Sequence, residues 1–208
     1  VGLMVKWFPQ QRGFAAGAVA AGYGMGAIIT TFPISLSLTT NGLEHTLTTF
    51  GILFALVGFL ASQGLKLPPP AVSQPVSQTG MLRQPLFWLM FAMMAMMSTS
   101  GLMVTSQMAV FAEDFGISQA VVFGMAALPL ALTIDRFTNG LTRPLFGFIS
   151  DRFGREQTMF IAFALEGVAM MLWLACREDP LLFVLLSGVV FFGWGEIFSL
   201  FPSTLSDT

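Results

Sequence analysis

The chain is short of the residues on which soluble enzymes are built. Among 208 residues there is one cysteine, Cys176, and one histidine, His45. One cysteine permits no intrachain disulfide, and the two together cannot make a Cys/His metal cluster. Only 10% of residues are charged, against about 25% in an average soluble domain. The net charge is −2, with no basic run, which points away from nucleic acid. No nucleophile–base–acid set, phosphate loop or metal-ligand spacing is present, so neither an enzyme nor a cofactor or metal is expected. The GYGMG around Tyr23 lies inside an apolar run, not between a strand and a helix, and is not read as a nucleotide loop.

What is present is apolar. Hydrophobic residues make up 55% of the chain, with 22 Phe and 14 Met, and the mean hydropathy is +0.78. A membrane-spanning helix needs about 20 mostly apolar residues. Six runs qualify, over about 14–38, 47–65, 85–111, 120–149, 157–176 and 181–201. They are too long for barrel strands and do not alternate. The expected fold class is therefore all-α, a polytopic transmembrane helical bundle in a lipid bilayer. The 67–84 segment, rich in Pro, Ser and Gln, reads as a flexible linker. It separates residues 1–66, with two helices, from residues 85–208, with four. The chain starts at Val1 and stops at Thr208 beside apolar runs, and is expected to be part of a longer membrane protein.

Alternating crossings place Lys6, Arg12, Lys66, Arg83, Arg152 and Arg155 on one side, and only Arg177 among Lys and Arg on the other. The basic side is the cytoplasmic one. Both chain ends are then cytoplasmic, in a multi-pass protein of the inner (plasma) membrane.

The fourth run is the unusual one. An arginine inside a membrane helix is expensive enough to be a functional-site candidate. Arg143 lies eight residues before Asp151, about 12 Å of helix, which is near the midplane of a core about 30 Å thick. Arg136 is seven residues further, nearly two turns, so both arginines share a face with Asn139, Gly140 and Gly147. Tyr23 in the first helix and Trp194 in the sixth sit at similar depth, with Phe198 one turn beyond Trp194. An arginine with aromatic neighbours at one level could hold a small anion, the guanidinium taking a carboxylate through paired hydrogen bonds. Arg136 also reads as an ion-pair partner for Asp135, Glu166 or Glu196. Glu196, like Asp135, reads either as a proton-coupling carboxylate or as an ion-pair partner. Gly13, Gly17, Gly22 and Gly26 form two small-xxx-small pairs suited to close helix contact.

The turn after this helix, Gly147-x-x-x-Asp151-Arg152-x-Gly154-Arg155, resembles the cytoplasmic loop signature of the major facilitator superfamily, in its copy between helices eight and nine. KWFPQQRGFAAG (6–17), AAGYGMG (20–26), NGLTRPLFGFISDRFGRE (139–156) and FFGWGEIFSLFPSTLSD (191–207) are together similar to the oxalate/formate antiporter family. The likeness covers essentially the whole chain, as helices five to ten of twelve. It implies a partial major facilitator fold with six transmembrane helices, and 67–84 as the central cytoplasmic loop. It implies secondary active transport of small carboxylates by alternating access, with the missing helices of the same carrier completing a monomer. Arg143 then matches the arginine that holds the substrate carboxylate, and Tyr23 and Trp194 match cavity aromatics. Phe198 stands where the oxalate transporter has a tyrosine. Gly147, Asp151, Arg152, Gly154 and Arg155 match the conformational gate. The family's second cationic residue, a lysine in helix eleven, lies beyond Thr208. The alternatives are a proton-coupled carrier of another solute, using Glu196 or Asp135, and a membrane scaffold that does not transport. The 208-residue piece alone is expected not to transport.

Overall fold

The computed structural model describes residues 1–66 and 82–207. All but the last three residues of the 67–84 linker therefore lie outside the described residues. The elements in chain order are α1 (Gly2–Trp7), α2 (Arg12–Gln63), α3 (Pro85–Asp114), β1 (Val121–Val122), β2 (Met125–Ala126), α4 (Ala127–Phe153), α5 (Arg155–Ala175), α6 (Pro180–Trp194) and α7 (Ile197–Asp207).

Helix α2 has 52 residues but is not straight. It reverses at Gly42, whose φ of 79° and ψ of 175° lie outside the helical region and are open at low cost only to glycine. The two arms are tied across the bend by the Ser37 and Thr46 hydroxyls, 2.8 Å apart. At the other end the Trp7 Nε1 donates to the Lys66 carbonyl at 2.9 Å, so the second arm returns beside α1. This is the helix–turn–helix expected over 14–65, with the turn reduced to a single residue. The second arm exposes Leu43, Leu47, Ile52, Phe59 and Leu60, as a helix bathed in lipid does.

Among the described residues, four helical stretches are long and apolar enough to cross a membrane: Arg12–Gln63, Pro85–Asp114, Arg155–Ala175 and Pro180–Asp207. The bend in α2 makes the first of these two crossings. Helix α4, 27 residues long and so about 40 Å, has the length but not the hydropathy. Asp135, Arg136, Arg143, Asp151 and Arg152 lower it. Its buried residues Ala131, Asp135, Asn139, Arg143, Gly147 and Ser150 recur every three or four positions, so the polar stripe faces protein and not lipid. The first arm of α2 packs along one side of α4 and α6 along the other; α5 packs on α6, and α7 on α2. The helix carrying the charges is thus the centre of the bundle.

Two expectations need correction. The fourth run was expected to be helical from Ala120, but residues 121–126 form an antiparallel hairpin pairing Val121 with Ala126 and Val122 with Met125. Phe123 and Gly124 both have positive φ, 52° and 78°, the two-residue turn that suits a right-twisted hairpin. β-branched Val121 and Val122 favour the strand. The sixth run was expected to be continuous over 181–201. It breaks at Gly195–Glu196, between α6 and α7, where the Ser199 amide bonds the Glu196 carbonyl three residues back at 2.8 Å, a tighter turn than α.

The start of α6 shows the ordinary local logic. Asp179 accepts from the Leu181 and Leu182 amides at 2.8 and 3.1 Å, and Pro180 follows, an N-cap with proline at the first helical position.

Candidate functional site

The close face between α2 and α4 is built on missing side chains. A Cβ on Gly17 would collide with the Arg143 carbonyl and Pro144, one on Gly13 with the Gly147 carbonyl, and one on Gly24 would stand 3.0 Å from the Gly140 Cα. Gly22 and Gly26 face open space, so the small-residue stripe is Gly13, Gly17 and Gly24, not the four-residue ladder read from the sequence. The approach brings the α2 backbone within reach of the α4 arginine. Arg143 Nη1 donates to the Ala20 carbonyl at 2.7 Å. Nε and Nη2 both donate to Asn139 Oδ1, at 3.1 and 2.7 Å.

Arg143 is 1% exposed, and no carboxylate balances it: the ion pairs found among the described residues involve Arg12 and Arg155 only. A guanidinium has five N–H donors, and these bonds occupy three. Two remain, one on each terminal nitrogen. Aromatic rings close the rest of the space. The Phe198 ring centre is 4.1 Å from the guanidinium carbon and the Tyr23 ring centre 5.3 Å, two cation–π contacts worth about 0.5–2 kcal/mol each. Phe198 lies 6.3 Å from Tyr23 and packs edge-on against Trp194 at 5.5 Å. The four residues proposed from the sequence, Arg143, Tyr23, Trp194 and Phe198, are therefore one cluster drawn from four helices, α2, α4, α6 and α7. Tyr23 is 79% exposed, so its ring forms the open side of the cluster.

Trp194 is anchored, not free. Its Nε1 donates to the Met97 carbonyl of α3 at 2.7 Å, and its ring lies where a Cβ on Gly101 would be. It shapes the wall through its ring and has no proton left for a ligand. Gly101, Met97, Asn139 and Ala20 are supporting residues whose part the sequence did not show. Only Asn139 carried a signal, its i,i+4 spacing to Arg143.

A second constellation sits where α2 begins. Asp151, at the end of α4, accepts from the Gly13 and Phe14 amides at 2.9 and 2.8 Å. These are among the four N–H groups that an α-helix cannot satisfy internally. The carboxylate of one helix thus caps another, 138 residues away, where the helix dipole favours a negative charge. Arg155 bonds Asp151 at 2.6 Å and Asp207 at 3.0 Å, and Arg12 reaches Asp207 at 2.8 Å and also the Ser206 carbonyl. Within the turn, Gly147 gives close contact with Gly13, and Gly154, at φ 96°, lets the chain turn between α4 and α5. Arg152 is outside the network and lies over the Phe148 ring at 4.4 Å.

Arg136 forms none of the ion pairs expected with Asp135, Glu166 or Glu196. It is exposed and donates to Thr31 Oγ1 at 3.1 Å. Its neighbour Asp135 points about 100° away around the helix, toward α6, where Ser187 faces it. The Ser187 hydroxyl is turned to the Val184 carbonyl, and neither oxygen of Asp135 is hydrogen-bonded.

A family profile described as Major Facilitator Superfamily matches residues 1–208. The chain belongs to the major facilitator superfamily. It is 32% identical over 212 aligned residues to the oxalate:formate antiporter of Oxalobacter formigenes, an alignment that covers 97% of this chain and 49% of that protein. The chain thus spans about half the length of that curated relative. As a major facilitator chain it is a multi-pass membrane protein of a transporter family and not an enzyme.

Proposed function

We propose that this chain is part of a carrier that exchanges small carboxylates, oxalate, formate or a related anion, by alternating access. The observation that carries the proposal is Arg143: a buried guanidinium without a carboxylate partner, with two N–H groups unspent and aromatic rings around them. Two parallel N–H donors are the fork that a carboxylate accepts. The anion would approach past the exposed Tyr23 ring, while Phe198 and Trp194 wall it against larger solutes. The family match and the similarity to an oxalate:formate antiporter support the same reading. In this proposal the carrier sits in the inner (plasma) membrane as a monomer, and residues 1–66 and 85–208 belong to its two halves.

The alternating step would use the contacts at the start of α2. Gly147, Asp151, Arg155 and Asp207 hold α4 and α7 against α2 at that end. On the charge bias of the loops it is the cytoplasmic end, so the arrangement would be one closed to the cytoplasm. Breaking the Asp151 cap frees the halves to rock about the anion site. Arg143→Lys tests the proposal, because lysine keeps the charge and lacks the fork. In the complete carrier, counterflow of radiolabelled oxalate or formate should be lost in this variant, and undiminished counterflow would overturn the assignment.

A further inference from the structure

Two acidic side chains in the membrane-spanning part take no role in the carboxylate site. Glu166 of α5 is 2% exposed and Glu196, in the turn between α6 and α7, is 0% exposed. They approach because α5 and α6 touch at Gly193, where an added Cβ would stand 2.9 Å from the Glu166 Cβ. Gly193 is three residues before Glu196, which puts both carboxyl-bearing residues at this one contact between α5 and the end of α6. Glu166 Oε1 accepts from the Ser100 hydroxyl of α3 at 2.7 Å. Its Oε2, and both oxygens of Glu196, have no hydrogen-bond partner.

We infer that Glu166 and Glu196 form a proton-binding site of the carrier, separate from the Arg143 anion site. A buried carboxylate without partners costs several kcal/mol, and two side by side repel each other as well. Among the described residues, no ion pair offsets this. Helix α3 offers Ser100. Helix α4 offers Asn139 and Thr142 against Gly195, and its Arg143 bonds Ala20 and Asn139 and forms no ion pair with either carboxyl group. In α7, Ser199 and Ser203 turn their hydroxyls to carbonyls of their own helix. One proton resolves both problems. A carboxylate takes it from water, becomes a carboxylic acid, and can donate its O–H to the neighbouring carboxylate. A hard metal cation takes about six or more oxygens, which one hydroxyl and two carboxyl groups do not supply. The site is also joined to the anion cluster. Trp194, two residues before Glu196, bonds Met97, one turn from the Ser100 that holds Glu166. The two sites thus share the Met97–Ser100 turn of α3.

The test is infrared spectroscopy of the chain in lipid nanodiscs, in an Asp135→Asn background so that the third buried carboxyl group is silent. A protonated carboxyl C=O band at neutral pH, absent from the Glu166→Gln/Glu196→Gln double variant, is expected. Each single variant should move the titration midpoint by about one pH unit or more, the mark of coupled groups. Ser100→Ala, which leaves both carboxyl groups in place, should shift the band frequency and serves if a glutamine variant misfolds. The absence of a band at neutral pH, its survival in the double variant, unmoved midpoints in both single variants, or its removal by sodium would each overturn the proposal. None of these readouts depends on Arg143 or on carboxylate transport, so the two proposals stand or fall apart.

Discussion

Asp151 and Asp207 both appear in the contacts at the start of α2, but they are not equivalent, and their replacement separates two kinds of electrostatics. Asp151 is 7% exposed at its side chain and accepts two backbone N–H groups that no other acceptor reaches. Hydrogen bonds to a charged group are worth about 1.5–3 kcal/mol each, so Asp151→Ala should cost about 3 kcal/mol of local stability, even if water recovers part of the loss. Asp207 is 38% exposed and holds two ion pairs, with Arg12 and Arg155. Exposed pairs contribute about 0.2–1 kcal/mol each, so Asp207→Asn should cost about 1 kcal/mol. Hydrogen exchange at the Gly13 and Phe14 amides reads this directly, because Asp151 is the acceptor that protects them. At 1.4 kcal/mol per tenfold, Asp151→Ala should speed their exchange by about 100-fold and Asp207→Asn by about fivefold. High salt should mimic the second change and not the first, since it screens exposed pairs. Equal effects of the two variants, or protection of Gly13 and Phe14 that survives Asp151→Ala, would refute the cap.

Other consequences are measurable in the same protein. In the complete carrier, Arg143→Lys should weaken carboxylate binding by about 100-fold or more, the loss of two charge-assisted bonds, as followed by ligand protection against thermal unfolding. Phe198→Tyr adds a hydroxyl to the cluster and should tighten binding of a dicarboxylate by about fivefold, the worth of one hydrogen bond, by competition against labelled substrate. Gly17→Leu should lower thermal stability sharply and abolish the Ala20–Arg143 bond, because the side chain would enter the Arg143 backbone; overpacking of this kind costs about 1–3 kcal/mol or more. Asp179→Ala removes the cap of α6 and should cost about 1 kcal/mol, seen as faster exchange at Leu181 and Leu182 with transport unchanged.

Several features of this chain need no tertiary structure. Its solvent is lipid because charge is scarce and apolar runs reach spanning length. The helical hairpin of α2 is legible because two apolar runs flank a short polar stretch. The polar stripe of α4 follows from spacing alone, since residues three or four apart share a face, and that stripe already singles out Arg143. The motif at 147–155 that resembles the superfamily loop is equally local. Tertiary structure decided what depends on how helices are rotated and shifted against one another, which periodicity does not encode. It chose Gly24 over Gly22 and Gly26 for the contact with α4 and turned the Arg143 guanidinium onto the Ala20 carbonyl. It also brought Asp151 to the N–H groups of a helix 138 residues away. Arg136, one residue from Asp135, was sent to the opposite neighbour, so no ion pair formed. Glu166 and Glu196 come to one helix contact where Gly193 lets α5 and α6 touch. The helix with the arginines is the bundle's centre for the same reason: its polar face is tolerable in a membrane only when other helices cover it.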